Sequence, residues 1–329
     1  LIIVGDALKT LRTMPDESVH CVVTSPPYYG LRDYKIAGQI GLEKTPAEYV
    51  AKIVEVFEEV RRVLRKDGTC WVNIGDSYSS VRADGQCGDA SPGGCGHQGY
   101  MGHAWDGVKK KDLIGIPWRM ALALQAAGWY LRSEIVWAKP NPMPESVTDR
   151  PTRAHEQVFL FTKSPRYWYD AGAIKTPAKA QYYKMPDGWD TGPGAHGSYH
   201  RAGREAGKVS DKQRGHGRRH AGFNDRWDAM AIEGQSAMGA NARTVWTIAP
   251  FPYKKAHYAT FPPEIPKRCI LAGCPLGGTV LDPFLGSGTT AAVAVELGRN
   301  WTGIEINPEY AELARRRIAD AQPCIEGLA

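Results

Sequence analysis

The sequence predicts an α/β protein built on a doubly wound sheet, and three observations predict it. Short apolar runs recur along the chain, several of them followed by stretches with helical apolar spacing. Several of these runs end in a polar or acidic residue beside glycine or proline, as in Val4-Gly5-Asp6, Val23-Thr24-Ser25-Pro26 and Leu281-Asp282-Pro283. Open α/β sheets bind ligands at such carboxyl ends of strands. Finally, 329 residues with 43% hydrophobic and 10% aromatic content are enough for one large core plus an inserted module.

Leu1-Ile2-Ile3-Val4-Gly5-Asp6 reads as the first strand, followed by a short amphipathic stretch to Met14. Leu1 in place of Met, already inside the strand-like run, points to a start a few residues into the natural chain. Asp6 suits a helix N-cap, whose side chain accepts an orphan backbone N–H. The next apolar run, His20 to Val23, ends at Thr24-Ser25-Pro26-Pro27-Tyr28. Consecutive prolines forbid helix and sheet and remove two donors, so the carbonyls of Ser25 and Pro26 stand without competing N–H groups. Tyr28 adds a flat apolar face. Acceptors beside an aromatic wall suit a planar ring with an exocyclic amino group, such as a nucleobase; the plainer reading is a proline-rich turn with a structural tyrosine.

Pro46 to Arg65 carries Tyr49, Ile53, Val56, Phe57, Val60 and Leu64 at helical spacing and predicts a core-facing helix. Asp67-Gly68 then turns into a buried strand, Thr69 to Gly75, ending at Asp76. Residues 79–111 break the pattern with glycine, serine and Lys109, Lys110 and Lys111, and read as a mobile loop. Cys87, Cys95, His97 and His103 fall there, but their spacing matches no usual zinc arrangement, so no metal is expected. A helix at about 112–127 and strands at about 129–137 and 156–162 follow, with Trp137 to Pro142 as a rigid corner. Arg153, His155 and Glu156 cluster beside it, as a buried polar network or as part of the catalytic apparatus.

Composition shifts over 166–243, where glycine, histidine, tyrosine and arginine dominate. Arg201, Arg204, Lys208, Lys212, Arg214, Arg218 and Arg219 oppose only Glu205 and Asp211, a local +5 within a chain whose formal charge is +6. Interleaved Tyr182, Tyr183, Trp189, Tyr199, Phe223 and Trp227 favour an arm that tracks phosphates over a purely solvating loop. Three parts result: residues 1–165, an insert at 166–243, and residues 244–329.

The last part opens with a strand at Thr244 to Ile248, then His257 to Pro262 and a helix to Cys274. Thr279 to Thr290, TVLDPFLGSGTT, is a strand, a glycine turn and a helix start. Gly286 and Gly288 allow close backbone approach, and the following amides form a positively biased surface. A second strand ends at Glu305, 19 residues beyond Gly286, where a carboxylate suits ribose hydroxyls. Three glycines at dinucleotide spacing are absent, and no lysine follows Gly288 as in a phosphate-cradling loop. A nucleoside without polyphosphate remains, and S-adenosylmethionine fits. Pro308 to Ala319 is the closing amphipathic helix.

Thr24-Ser25-Pro26-Pro27-Tyr28 followed much later by Asp282-Pro283-Phe284-Leu285-Gly286-Ser287-Gly288-Thr289-Thr290 resembles the β-class DNA amino-methyltransferases, with the catalytic motif first and the cofactor motif last. The resemblance covers about residues 1–80, 112–165 and 245–318. It implies a circularly permuted Rossmann-like sheet with an inserted DNA-recognition region. It also implies methyl transfer from S-adenosylmethionine to cytosine N4 or adenine N6 of a flipped base. The implied catalytic residues are Ser25, Pro26, Pro27 and Tyr28. Around the cofactor it places Asp6, Thr24, Phe261, Asp282, Pro283, Phe284, Gly286, Ser287, Gly288, Thr289 and Glu305. Ser25, where many adenine-specific members carry Asp or Asn, leans towards cytosine. Neither Cys274 nor Cys324 suits the nucleophile that methylation at cytosine C5 requires. Double-stranded DNA is the expected partner, contacted by Lys109 to Lys111 and by the basic residues of the insert. A homodimer and a cognate restriction enzyme are compatible with the sequence. Seven cysteines without even spacing, no apolar run of membrane-spanning length and no signal peptide point to a cytoplasmic protein, and the DNA partner that the resemblance implies makes it nucleoid-associated. Two alternatives stand beside this: an RNA or protein N-methyltransferase, and a non-catalytic DNA-binding protein on the same fold.

Overall fold

The computed structural model describes residues 1–31, 33, 35–79, 108–176, 239–250 and 261–321. In chain order its elements are β1 (Ile2–Val4), α1 (Ala7–Thr13), β2 (Val19–Thr24), α2 (Pro46–Val63), β3 (Leu64–Ile74), α3 (Ile116–Ala126) and β4 (Tyr130–Ala138). They continue with β5 (His155–Thr162), β6 (Val245–Thr247), α4 (Glu264–Gly273), β7 (Thr279–Asp282), α5 (Thr289–Glu296), β8 (Asn300–Glu305) and α6 (Pro308–Ala319). Two compact units are present, Leu1–Ile174 with Arg243–Ala329, and Lys175–Ala242. In the second, the described ends pair through Thr176 and Ala240, which exchange backbone hydrogen bonds of 2.9 and 2.8 Å.

The first unit holds one 8-stranded sheet in the order β1-β8-β7-β2-β3-β5-β4-β6. All neighbours are parallel except β5, which runs against both β3 and β4. The reversal follows from the β4–β5 connection, which carries Pro140, Pro142 and Pro144 and no helix; a parallel return needs a crossover, usually helical. From β2 the chain moves through α2 to β3, whereas from α4 it moves through β7 and α5 to β8 on the other side. The winding therefore reverses between β7 and β2, where such sheets open a ligand crevice.

Strand side chains alternate between two apolar layers, as a sheet covered on both faces demands. Val22, Cys70, Val72, Phe159 and Phe161 pack with α1, α2 and α3, while Cys21, Val23, Trp71, Val158 and Leu160 pack with α4 and α5. The terminal strands lie side by side, with Ile2 opposite Gly303 and Val4 opposite Glu305.

Two sequence expectations move. The helix expected at about 112 begins at Ile116, because Gly115 is left-handed (φ 78°) and Leu113 instead bridges Tyr78. The strand expected from Thr69 begins at Leu64; Val19 pairs with Leu64 and Cys21 with Thr69, so the Asp67-Gly68 turn survives as a bulge inside β3.

Candidate active site

The carboxyl ends of β1, β8, β7, β2 and β3 line one edge of the sheet and bring Asp6, Glu305, Asp282, Thr24-Ser25 and Gly75-Asp76 into a row. Because β5 is reversed, its first residues, His155 and Glu156, lie on the same edge.

On the β7 side, Thr24 Oγ1 donates to Asp282 Oδ1 over 2.6 Å, and the Phe284 amide donates to the same oxygen over 3.1 Å. Asp282 is 2% exposed, and among the described residues its Oδ2 has no hydrogen-bond partner. Burial pushes this carboxyl up to about 6, against the lowering bonds from Thr24 and the Phe284 amide. The following loop turns through two left-handed glycines, Gly286 (φ 54°) and Gly288 (φ 81°). A Cβ on Gly288 would stand 2.9 Å from that of Ala314, whereas one on Gly286 would meet nothing closer than 3.9 Å. Gly288 is thus needed for packing on α6, and Gly286 borders open space. Glu305 clamps the loop: Oε2 accepts from the Gly286 amide (2.7 Å) and Oε1 from the Asn307 amide (2.8 Å). Burial raises its pKa as well. Arg317 of α6 donates to the hydroxyls of Ser287 (3.1 Å) and Thr289 (2.7 Å), and Thr290 donates to the Val23 carbonyl (3.2 Å).

Across the crevice, Tyr49 of α2 donates to the Pro27 carbonyl over 2.8 Å and fixes the proline corner. Among the described residues no donor reaches the carbonyls of Ser25 or Pro26. The Tyr28 ring lies against Gly75, where a Cβ would stand 2.5 Å from Cε2. Its hydroxyl donates to Glu156 Oε2 (2.6 Å) and accepts from Asn73 Nδ2 (2.9 Å). Burial and the Glu156 carboxylate together hold this phenol well above the usual tyrosine range. Lys139 Nζ pairs with Glu156 Oε1 over 2.5 Å, its ammonium 4.5 Å from the Trp137 ring centroid. Asn73 and Lys139 drew no functional reading from the sequence; the available signal was an amide and an ammonium at the polar edge of apolar strands.

The remaining candidates are placed as follows. Asp6 caps α1 through the Lys9 amide (2.8 Å) while standing beside Glu305, whose carbonyl accepts from the Gly5 amide (2.9 Å). Pro283 is buried, Phe284 is half-buried on the α1–α3 layer, and Phe261 packs on the α4–α5 layer. Asp76 caps α3, accepting from the amides of Gly115 and Ile116. Lys109 and Lys111 form surface ion pairs with Asp112 (3.1 Å) and Asp149 (2.6 Å). Arg201, Arg204, Lys208, Lys212, Arg214, Arg218 and Arg219, like Cys87, Cys95, His97 and His103, lie outside the described residues. Among the described residues no cluster of His, Cys, Asp or Glu could hold a metal, and no helix is long and apolar enough to cross a membrane.

The residues present fit S-adenosylmethionine: a buried carboxylate with an unpartnered oxygen, open backbone at Gly286, and a second carboxylate beside them. A doubly wound sheet carrying these groups at its winding reversal defines a nucleoside-binding α/β enzyme. The sequence profile of the N6/N4 DNA methylase family matches residues 19–316, and the chain belongs to that family. It is 44% identical to the type II methyltransferase M.SmaI of Serratia marcescens over 317 residues, covering 96% of this chain and 90% of that one. To M.Cfr9I of Citrobacter freundii it is 43% identical, covering 95% and 86%. Its fold is shared by the cytosine-N4-specific PvuII DNA methyltransferase (TM-score 0.60, 19% identity, 97% and 86% covered). A Thermus thermophilus protein assigned as a DNA modification methylase, solved with S-adenosyl-L-methionine, matches with a TM-score of 0.56 at 21% identity, covering 98% and 94%. The chain is a site-specific DNA methyltransferase that transfers a methyl group from S-adenosylmethionine to an exocyclic base amino group.

Proposed function

We propose that the target atom is N4 of cytosine and that Ser25 and the Pro26 carbonyl hold the amino group. The observation that carries this reading is the acceptor corner. Pro26 and Pro27 supply no N–H, Tyr49 holds the Pro27 carbonyl, and the neighbouring carbonyls are left to a ligand. The amino lone pair is delocalised into the ring; accepting both of its N–H bonds favours a more tetrahedral, nucleophilic nitrogen. Bound S-adenosylmethionine supplies the electrophilic methyl group. The chain's part is to hold the two reactants in line, with Asp282, Gly286 and Glu305 on the cofactor side and the proline corner on the base side. Tyr28, its ring backed by Gly75, provides a wall for a base taken out of the duplex.

Ser25 places a neutral hydroxyl where a carboxylate or amide would favour adenine, and the fold neighbour from the PvuII system is named cytosine-N4-specific. Adenine N6 is the second reading, since both bases present the same amino group. The insert at 166–243 serves as the target-recognition part, with Lys109 to Lys111 as accessory phosphate ligands. A pairing with a cognate restriction enzyme accords with the type II names of its relatives. We place the enzyme in the cytoplasm on nucleoid DNA, working as a monomer or a homodimer. Methylation of a random duplex library followed by modification-sensitive sequencing identifies base and site together; N6-methyladenine as the product overturns the cytosine assignment. Ser25→Ala should lower single-turnover methylation far more than DNA affinity, and a parental rate would remove Ser25 from the chemistry.

A further inference from the structure

Glu156 has no part in the reading above, yet it ends a hydrogen-bonded chain that begins at Tyr28, three residues beyond Ser25. The Ser25 side chain, three residues before Tyr28 in the same proline corner, stands close enough to the phenol to favour its ionised form. That phenol donates to Glu156 Oε2 over 2.6 Å, and Lys139 Nζ holds Oε1 over 2.5 Å. Asn73 Nδ2 donates both to the phenol oxygen (2.9 Å) and to Oε2 (3.1 Å), which fixes the two against each other. The Glu156 and Lys139 side chains are only 15% and 23% exposed, so bulk water has little access to the end of the chain.

The reaction creates a need for such a chain. Transfer forms the N–CH3 bond and breaks the S–CH3 bond, whose electron pair stays on sulfur. The amino nitrogen starts with two protons and ends with one, so one proton must leave a site closed by prolines and an aromatic ring. Ser25 can take it only by passing its own proton on. We propose that Ser25 and Tyr28 relay this proton to Glu156, which is its terminal acceptor. The amino proton moves to Ser25 Oγ, the serine proton to Tyr28 Oη, and the phenol proton to Glu156 Oε2. Both hydroxyls end neutral, the carboxylate ends as the acid, and charge balances. Tyr28 suits transit and not storage, because burial and the adjacent carboxylate disfavour a phenolate. Lys139 keeps the carboxylate oriented, and its pairing with Oε1 leaves Oε2 to receive the proton.

This inference rests on the role of Ser25 proposed above, and the test separates the two. Glu156→Gln keeps an oxygen for the phenol and removes the proton acceptor; Tyr28→Phe keeps the ring and breaks the relay. Each should slow single-turnover methylation by about a hundredfold or more, the range of a lost general base. The double variant should be no slower than the slower single one. Cofactor affinity by calorimetry and base extrusion by 2-aminopurine fluorescence should stay parental, and formate should restore rate to Glu156→Ala. A parental single-turnover rate in Glu156→Gln, or losses that multiply in the double variant, overturns the relay. If Glu156→Gln fails to bind cofactor, Tyr28→Phe carries the test by the same rate criterion. Ser25→Ala measured alongside separates the cases. If it alone is slow, the relay fails and the serine assignment stands; if it too is parental, that assignment fails.

Discussion

Asp282→Asn should stabilise the unliganded enzyme at neutral pH while weakening its hold on the cofactor. Asp282 Oδ1 accepts from Thr24 and from the Phe284 amide, and an amide oxygen can accept both. Among the described residues Oδ2 has no partner to lose. The charge itself is therefore the main thing removed. A carboxyl moved by burial from an ordinary 3.8 to about 6 is disfavoured in its charged, folded form by about 3 kcal/mol. The folded value lies above the unfolded one, so the folded state binds the proton more tightly. The penalty is absent below about pH 4, grows as the pH rises towards about 6, and is complete above that window. Asn titrates nowhere in this range. The variant should thus gain about 1–3 kcal/mol over the parent at pH 7.5, or about 2–4 °C in Tm per kcal/mol, and only about a third of that gain at pH 4.5. Nearby positive charge on a bound cofactor favours the ionised carboxyl, so parental cofactor affinity should rise with pH across the same window and that of the variant should not. Thermal unfolding at the two pH values, paired with calorimetry, measures both. A variant less stable than the parent at pH 7.5, or one with the same difference at both, would refute the assignment of Asp282 as a buried charge held for the ligand.

Glu305→Ala removes the acceptor of two loop amides, so it should lower Tm and weaken cofactor binding by about 1–3 kcal/mol; unchanged calorimetric affinity in the folded variant would take Glu305 out of the site. Replacing Arg214, Arg218 and Arg219 by Ala should leave cofactor binding and Tm nearly parental. It should make the slope of log DNA affinity against log salt shallower by about 0.9 for each phosphate no longer neutralised. A parental slope would make the basic run a solubilising segment and move the search for the DNA-binding surface to Lys109, Lys110 and Lys111.

The strand ends were legible in the sequence because each couples an apolar run to a residue with special backbone or charge properties. Asp282, Gly286 and Glu305 could be placed on one edge from the alternation of strands and helices alone. The reversal of β5 could not. Strands buried on both faces read as continuous apolar runs in either direction, and Val158 to Phe161 carries no mark of polarity. The start of α3 was misplaced because Ile114 is apolar and in helical phase, while the left-handed turn at Gly115 overrides that pattern. Tyr28 was read as an aromatic wall, and its locked hydroxyl was hidden. Its partners Asn73 and Glu156, and Lys139 that pairs with Glu156, come from three strand ends, and only the sheet order makes them neighbours.

The same sheet order explains why a chain can carry its catalytic motif first and its cofactor motif last. Thr24 and Asp282 are 258 residues apart, yet their 2.6 Å hydrogen bond joins the ends of adjacent strands at the point where the winding reverses. At the outer side, β1 pairs with β8, so the first residues of the chain complete the edge that the last strand begins. Reaction geometry depends on which strand ends are neighbours and not on the order in which they are synthesised. The Thr24–Asp282 bond then has a consequence of its own. Thr24 directly precedes Ser25, so a shift of the Asp282 carboxylate on cofactor binding would act on the corner proposed to hold the base amino group. If the proposed cofactor and base sites are joined in this way, linkage requires each ligand to change the affinity of the other by the same factor, which calorimetry of either ligand with and without the other measures.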